Sequence, residues 1–400
     1  MRLVQGLTVM IVLLSLGGGV AAAGGASTVE KGRYLARIGN CAGCHTAPGG
    51  KDYAGGLRLQ SEFGSLMTPN ITPDTETGIG GWSEQDFWNA MHNGERPDGS
   101  GLYPACPYPS FTHVRREDMD ALFAYLRSVP PVRRENTEHD LAFPYNVRSL
   151  LGIWQALRFE PGVLENDNSR DPRWNRGRYL VEGLGHCNEC HRQRDYLGAV
   201  RSSESAPGAV VHGWYAPSLS DSDQAGLQQW SAPDAAAFLS SGRADGAAML
   251  GPMADVVFES LRHLSDEDAL AIATYLKSLP DRAVDTPEDS PAPADVAGIM
   301  QRGASIYRDG CSDCHGEKGE GTDSAVALAG NRDVTMADPT NVINIVRRGG
   351  FPASTEANPF PYGMPPHYGL SDMEAAAVVT YIRRSWGNDA GVVSVNDLEQ

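Results

Sequence analysis

Cysteine is scarce in this sequence. Seven in 400 residues are too few for a disulfide scaffold, so their spacing is more informative than their number. Basic residues are also in the minority: 33 Lys and Arg stand against 50 Asp and Glu, a formal net charge of -17. That balance excludes a nucleic-acid binder, which needs a basic footprint. Long apolar runs are lacking, which excludes a polytopic membrane protein. No evident nucleophile or acid–base constellation appears, which argues against an enzyme that converts its own substrate. With 41% hydrophobic and 21% charged residues, the length suits two or three ordinary globular domains.

The chain opens Met1-Arg2, continues through an apolar stretch from Leu7 to Leu16 and reaches Ala21-Ala22-Ala23. A basic start, a short apolar core and a small-residue exit are the parts of a secretory signal peptide, here residues 1–23. The apolar stretch is too short to span a bilayer as a mature helix. The protein is therefore expected to be exported to the periplasm.

What the sequence does have is a threefold repeat. Cys41-Ala42-Gly43-Cys44-His45, Cys187-Asn188-Glu189-Cys190-His191 and Cys311-Ser312-Asp313-Cys314-His315 share the form C-x-x-C-H and use six of the seven cysteines. The flanks repeat as well. Gly32-Arg33-Tyr34-Leu35 and Gly177-Arg178-Tyr179-Leu180 lie upstream, with a looser version from Gly303 to Tyr307. Downstream, helices are expected over Asp118 to Leu126, Asp266 to Leu276 and Asp372 to Ile382, each carrying a tyrosine near its end. A glycine on each leading helix would permit a close crossing with the aromatic-bearing last helix. Ser83 and Ser231 suit helix N-caps, and Gly94 and Gly242 suit helix stops. The expected fold is all-α: three small tandem modules over residues 27–135, 170–282 and 294–388. Pro280 to Val296, rich in Pro, reads as an extended linker. The apolar patch from Val147 to Phe159, with Trp154, is expected to pack between modules or against a partner chain.

In an exported protein, two cysteines three positions apart followed at once by His read as covalent attachment of a c-type haem. The thiols form thioethers with the haem vinyl groups, and the histidine faces the iron. A thioredoxin-like pair would not recur three times and needs a βαβ context. A structural zinc site needs two ligand pairs close in sequence, and Cys44 and Cys187 are far apart. The expectation is three covalent haems, attached through Cys41, Cys44, Cys187, Cys190, Cys311 and Cys314, with His45, His191 and His315 as axial ligands. Met253 and Met364, each beside Pro ahead of the last helix of its copy, are the expected sixth ligands. Met249, Met336 and Met373 read as packing or exposed residues. In the first copy the corresponding place holds Cys106, which is the candidate ligand there, with Met67, Met91, His92 and His113 as alternatives.

With these motifs, the sequence resembles the three-haem cytochrome c subunit of membrane-bound periplasmic dehydrogenases of the alcohol, gluconate and sorbitol type. The resemblance also rests on Asn70-Ile71-Thr72-Pro73-Asp74 with Gly78-Ile79-Gly80, on Asn175 to Leu180, on Gly251-Pro252-Met253 and on Ser385-Trp386-Gly387-Asn388. It implies electron transfer from a catalytic dehydrogenase subunit, of flavin, quinoprotein or molybdenum type, through three haems to quinone or another respiratory acceptor. Two departures stand out. Cys106 replaces the usual Met, and only twelve residues follow Asn388, so contact with the periplasmic face of the inner membrane would fall to a partner. The competing classes are a free-standing periplasmic shuttle and a haem enzyme, a peroxidase or a sulfur-compound oxidoreductase working near Cys106.

Overall fold

A computed structural model describes residues 19–201, 207–244, 246–281 and 295–398. The apolar stretch Leu7 to Leu16 and most of the proline-rich connector after Pro280 lie outside the described residues. The chain is mainly helical, with short antiparallel strands at the periphery. No helix among the described residues is long and apolar enough to cross a membrane.

Three helix crossings of one kind organise the fold. The helix Gly19–Ile38 crosses Arg116–Ser128, Pro172–Arg178 crosses Asp266–Lys277, and Val296–Gly310 crosses Asp372–Arg383. A side chain at Gly32 would fall on the carbonyl of Ala121, one at Gly177 on that of Ala271, and one at Gly303 on that of Ala377. In each case the Cβ of a tyrosine, Tyr125, Tyr275 or Tyr381, lies beside the same glycine. The missing side chain is thus what allows the helix backbones to touch.

Local signals behave as their chemistry requires. Ser83 caps the helix Glu84–Asn93 in a capping box with Asp86, and Ser231 caps Ala232–Ser241 through the Asp234 N–H. Each helix stops at a left-handed glycine, Gly94 with φ 66° and Gly242 with φ 69°, a conformation that side chains disfavour.

The first two crossings are joined by a reciprocal exchange. Tyr34 on the first leading helix donates its hydroxyl to Asp268 on the second closing helix at 2.7 Å. Tyr179, which begins the helical turn Tyr179–Leu184 continuing the second leading helix, donates to Asp118 on the first closing helix at 2.5 Å. Each carboxylate also takes a cation from the residue before its own unit's glycine: Lys31 pairs with Asp118, and Arg176 binds Asp268 through two nitrogens. Burial alone would raise the Asp268 carboxyl, but Arg176 and Tyr34 hold it below the usual range. Around this exchange one apolar core runs through both units, from Leu35, Leu122 and Leu126 to Tyr179, Leu180, Leu184, Ile272 and Leu276.

The third unit stands on its own core of Tyr307, Val346, Val378, Val379 and Ile382. The place held by Tyr34 and Tyr179, two residues after the glycine, is Ser305 here. Tyr307 instead turns inward, donating to the Gly316 carbonyl at 2.6 Å and packing on Tyr381 and Trp386. This unit meets the second through polar bonds: Asn341 exchanges two with the backbone of Tyr215, and Asn344 donates to the Gly213 carbonyl.

The patch around Trp154 forms the helix Leu151–Arg158, which straps the first two units together. Trp154 donates to the Leu197 carbonyl, Gln155 reaches the carbonyls of Asn93 and Gly94, and Ile153 and Leu157 on the outer side stay exposed. Two further segments pack onto the units. Asp140–Leu141 pairs with the strand Gly64–Met67. Val393 is buried, its N–H held by Thr380 of the last helix.

Gly303→Ala should cost the third unit about 1–3 kcal/mol, the usual penalty of overpacking a tight contact. Thermal unfolding followed by circular dichroism checks this, and an unchanged midpoint would mean that the crossing tolerates a side chain.

Candidate functional site

The first and third C-x-x-C-H segments begin within three residues of the end of their leading helices, and the second follows the helical turn Tyr179–Leu184 that continues its own. In the first two units a left-handed residue, Asn40 at φ 51° and His186 at φ 40°, turns the chain just before the first cysteine. The motif itself then coils into a short helix: Cys41–His45, Asn188–His191 and Ser312–His315. In the second and third units the histidine N–H donates to the carbonyl of the first cysteine, at 3.0 Å in both. One helical turn therefore sets the two thiols and the imidazole of each motif together.

All three histidines are oriented in the same way. Nδ1 of His45 lies 2.8 Å from the Pro69 carbonyl, that of His191 2.7 Å from the Pro217 carbonyl, and that of His315 3.1 Å from the Val326 carbonyl. A carbonyl only accepts, so Nδ1 carries the proton and Nε2 keeps a free lone pair. Burial holds each imidazole below its ordinary pKa, which favours the neutral form. This is the arrangement of a metal-ligating histidine steadied by a backbone acceptor.

The carbonyl that holds His45 is itself supported. Next to Pro69, Asn70 is buried; its Nδ2 donates to Thr77 Oγ1 and the Val132 carbonyl, and its Oδ1 accepts the Thr72 N–H. The segment Asn70 to Asp74 thus acts as a bracket for the histidine.

The first cysteine of each motif is partly buried, whereas Cys190 and Cys314 are exposed. Burial pushes Cys41 and Cys187 up to about 12 and Cys311 up to about 11, with the neighbouring cysteine of each motif adding to the rise. In the third unit a cavity of about 320 Å³ is lined by Cys311, His315 and Met364 among Leu328, Val346 and Ile382. A thiol, an imidazole and a thioether facing an apolar space, with the motif's second thiol, Cys314, exposed beside His315 in sequence, are a donor set and surroundings that suit a covalent haem. His367, three residues after Met364, shares this wall; with no motif around it, it drew no attention in the sequence.

The first site gathers Cys41, Cys44 and Cys106, which lie within electrostatic reach of one another. Cys190 of the second motif lies within reach of Cys44, so the first two sites are neighbours. Met253 is half-buried in the first turn of the helix Pro252–Glu259, which packs against Cys41–His45. Gly251 precedes it at φ 57°, pressed against the Trp214 ring. The other candidates for the first site have contacts of their own. His92 stacks on Trp88 with Nδ1 3.3 Å from Thr112 Oγ1, His113 Nδ1 approaches the Glu182 carbonyl, Met91 packs on the core, and Met67 lies in a strand. Met336 is buried, Met249 packs against the core and Met373 is exposed.

Asn70→Ala removes a buried amide that serves three partners, so it should destabilise the first unit by about 1–3 kcal/mol. Denaturant titration of the variant against the parent chain measures this; equal stability would show that the bracket is dispensable.

Comparison with known proteins agrees with this geometry. The cytochrome c family model matches residues 29–130 and 300–386. The chain is 39% identical over 391 residues to the cytochrome c subunit of the quinone-type alcohol dehydrogenase of Gluconobacter oxydans, covering 93% of this chain and 81% of the relative. It is 41% identical to the gluconate 2-dehydrogenase cytochrome c subunit of Pantoea cypripedii, over 92% of this chain and 88% of that one. With the fructose dehydrogenase cytochrome subunit of Gluconobacter japonicus it shares 33% identity, over 93% and 82% respectively. The chain belongs to the cytochrome c family, among the cytochrome c subunits of dehydrogenases.

Proposed function

We propose that the chain is the electron-transfer subunit of a periplasmic dehydrogenase complex. It carries three covalent haems in three tandem class I cytochrome c modules, over residues 27–135, 170–282 and 294–388. The observation that carries this reading is the histidine geometry: three C-x-x-C-H segments, each with Nδ1 tied to a backbone carbonyl and Nε2 left to bind iron. Cys41 and Cys44, Cys187 and Cys190, and Cys311 and Cys314 attach the three groups. Met253 and Met364 supply the sixth ligands of the second and third. A haem held in this way cycles between ferric and ferrous iron and so relays single electrons.

The residues around each site tune that exchange. Thioether ligation by Met253 and Met364 would raise the potential, and the apolar wall of the third site, with Leu328, Val346 and Ile382, would keep water from the group it holds. The closeness of Cys44 and Cys190 supports direct exchange between the first two haems. The relatives named above serve dehydrogenases of alcohol, gluconate and fructose. Such similar cytochrome subunits beside such different substrates support a substrate site on the catalytic partner, here of flavin, quinoprotein or molybdenum type. Quinone or another respiratory acceptor takes the electrons onward. The basic start, apolar stretch and Ala21-Ala22-Ala23 support export to the periplasm, with any membrane contact made through the partner.

Two measurements test this. The haem-loaded chain, mixed with its catalytic subunit and that subunit's substrate, should be reduced; a chain that stays oxidised would contradict the relay. Met253→Ala should remove one of the weak far-red absorption bands of thioether-bound ferric haem and lower one potential. Spectra and potentials identical to the parent would remove Met253 from the ligand set.

A further inference from the structure

We propose that Cys106 is the sixth ligand of the first haem, opposite His45, bound through Sγ as a thiolate in the ferric state. The inference rests on the haem reading of the three motifs and adds to it a ligand that makes the first site chemically different from the other two.

The first observation is backbone register. The helices Glu84–Asn93 and Ala232–Ser241 end at Gly94 and Gly242, and after each the chain makes a short excursion and returns to the same glycine. Leu102 N–H donates to the Gly94 carbonyl at 2.7 Å, and Met249 N–H donates to the Gly242 carbonyl at 2.8 Å. Cys106 stands four residues after Leu102, and Met253 stands four residues after Met249. Both lie at the start of a short helix: Cys106 two residues before Tyr108–Phe111, and Met253 in the first turn of Pro252–Glu259. Cys106 and Met253 therefore occupy one structural position in two copies of the same unit.

The second observation is independent of that register. Cys106 lies within electrostatic reach of Cys41 and Cys44, the thiols that would attach the first haem. Its backbone is fixed on both sides: its N–H donates to the Tyr103 carbonyl at 3.0 Å, and its carbonyl accepts the Tyr108 N–H at 2.7 Å. Tyr108 in turn is fully buried, packed against Phe159 and Trp154. The thiol is thus carried on a rigid turn at the first site, while His92 Nδ1 lies beside Thr112 Oγ1, His113 Nδ1 approaches the Glu182 carbonyl and Met91 packs on the core.

Coordination replaces the S–H bond of Cys106 with an S–Fe bond, and the proton leaves to solvent; no electron moves in that step. The ferric charge drives the deprotonation, as metals do for coordinating thiols. Reduction then adds one electron to the iron, supplied by the partner dehydrogenase. An anionic sulfur stabilises ferric over ferrous iron, whereas the neutral thioethers of Met253 and Met364 do the opposite. The first haem therefore has the lowest potential of the three and, beside the second, passes electrons downhill to it.

Paramagnetic resonance and redox titration of the full haem-loaded chain test this, with the covalent haem content of each sample measured first. The parent chain should show one low-spin ferric signal with the narrow g-spread of a thiolate ligand. Cys106→Met should abolish that signal, add a far-red thioether band and raise the lowest potential. Cys106→Ala should keep three haems and open one iron to added imidazole, which keeps the test valid if the Met variant does not accumulate. A first haem that is covalently attached but lacks the thiolate signal, or a lowest potential unmoved in the variants, overturns the ligation by Cys106. Absence of haem from Cys41 and Cys44 overturns instead the haem reading on which it rests.

Discussion

The close helix crossing at Gly32, Gly177 and Gly303 is the constraint on which the rest of the structure depends. Each glycine lets a leading helix lie directly on the carbonyl of Ala121, Ala271 or Ala377. Once that crossing is fixed, the leading helix delivers the chain to the C-x-x-C-H segment, directly in the first and third units and through the turn Tyr179–Leu184 in the second. The histidine then meets a loop carbonyl at Pro69, Pro217 or Val326. The histidine geometry is thus inherited from backbone contact between two helices, with the cysteines and histidines added at its end.

The same unit is used in two ways. Tyr34 and Tyr179 reach across to each other's carboxylates, Asp268 and Asp118, and the first two units fold around a common apolar core. Ser305 replaces the tyrosine in the third, which keeps a separate core and docks through the Asn341 and Asn344 side-chain amides. A shared core holds the first two sites in one rigid arrangement, with Cys44 near Cys190. A polar contact suits a body that folds by itself and then docks.

Much of this was legible in the sequence because it is local. Ser83, Ser231, Gly94 and Gly242 do what their chemistry demands within one turn, and the last helices form where the Asp118, Asp266 and Asp372 segments place them. The glycine crossings were legible because the absence of a side chain is itself a signal. The carbonyls behind the histidines were not, since a backbone acceptor carries no residue identity. Nor was the exchange between Tyr34 and Asp268, 234 positions apart, because each tyrosine could equally have served its own unit. The strap around Trp154 showed its apolar face in the sequence but not which units it joins. His367 stayed hidden because only the folded cavity wall places it beside Met364.

The claim that three equivalent units each hold one covalent group is tested most directly by the intact mass of the denatured, mature chain, together with variants in which one motif at a time has both cysteines replaced by alanine. The account predicts a polypeptide carrying three haem masses, falling to two for each altered motif in turn. A chain that carries one or two haems before any substitution, or that keeps three after one motif is removed, would contradict it.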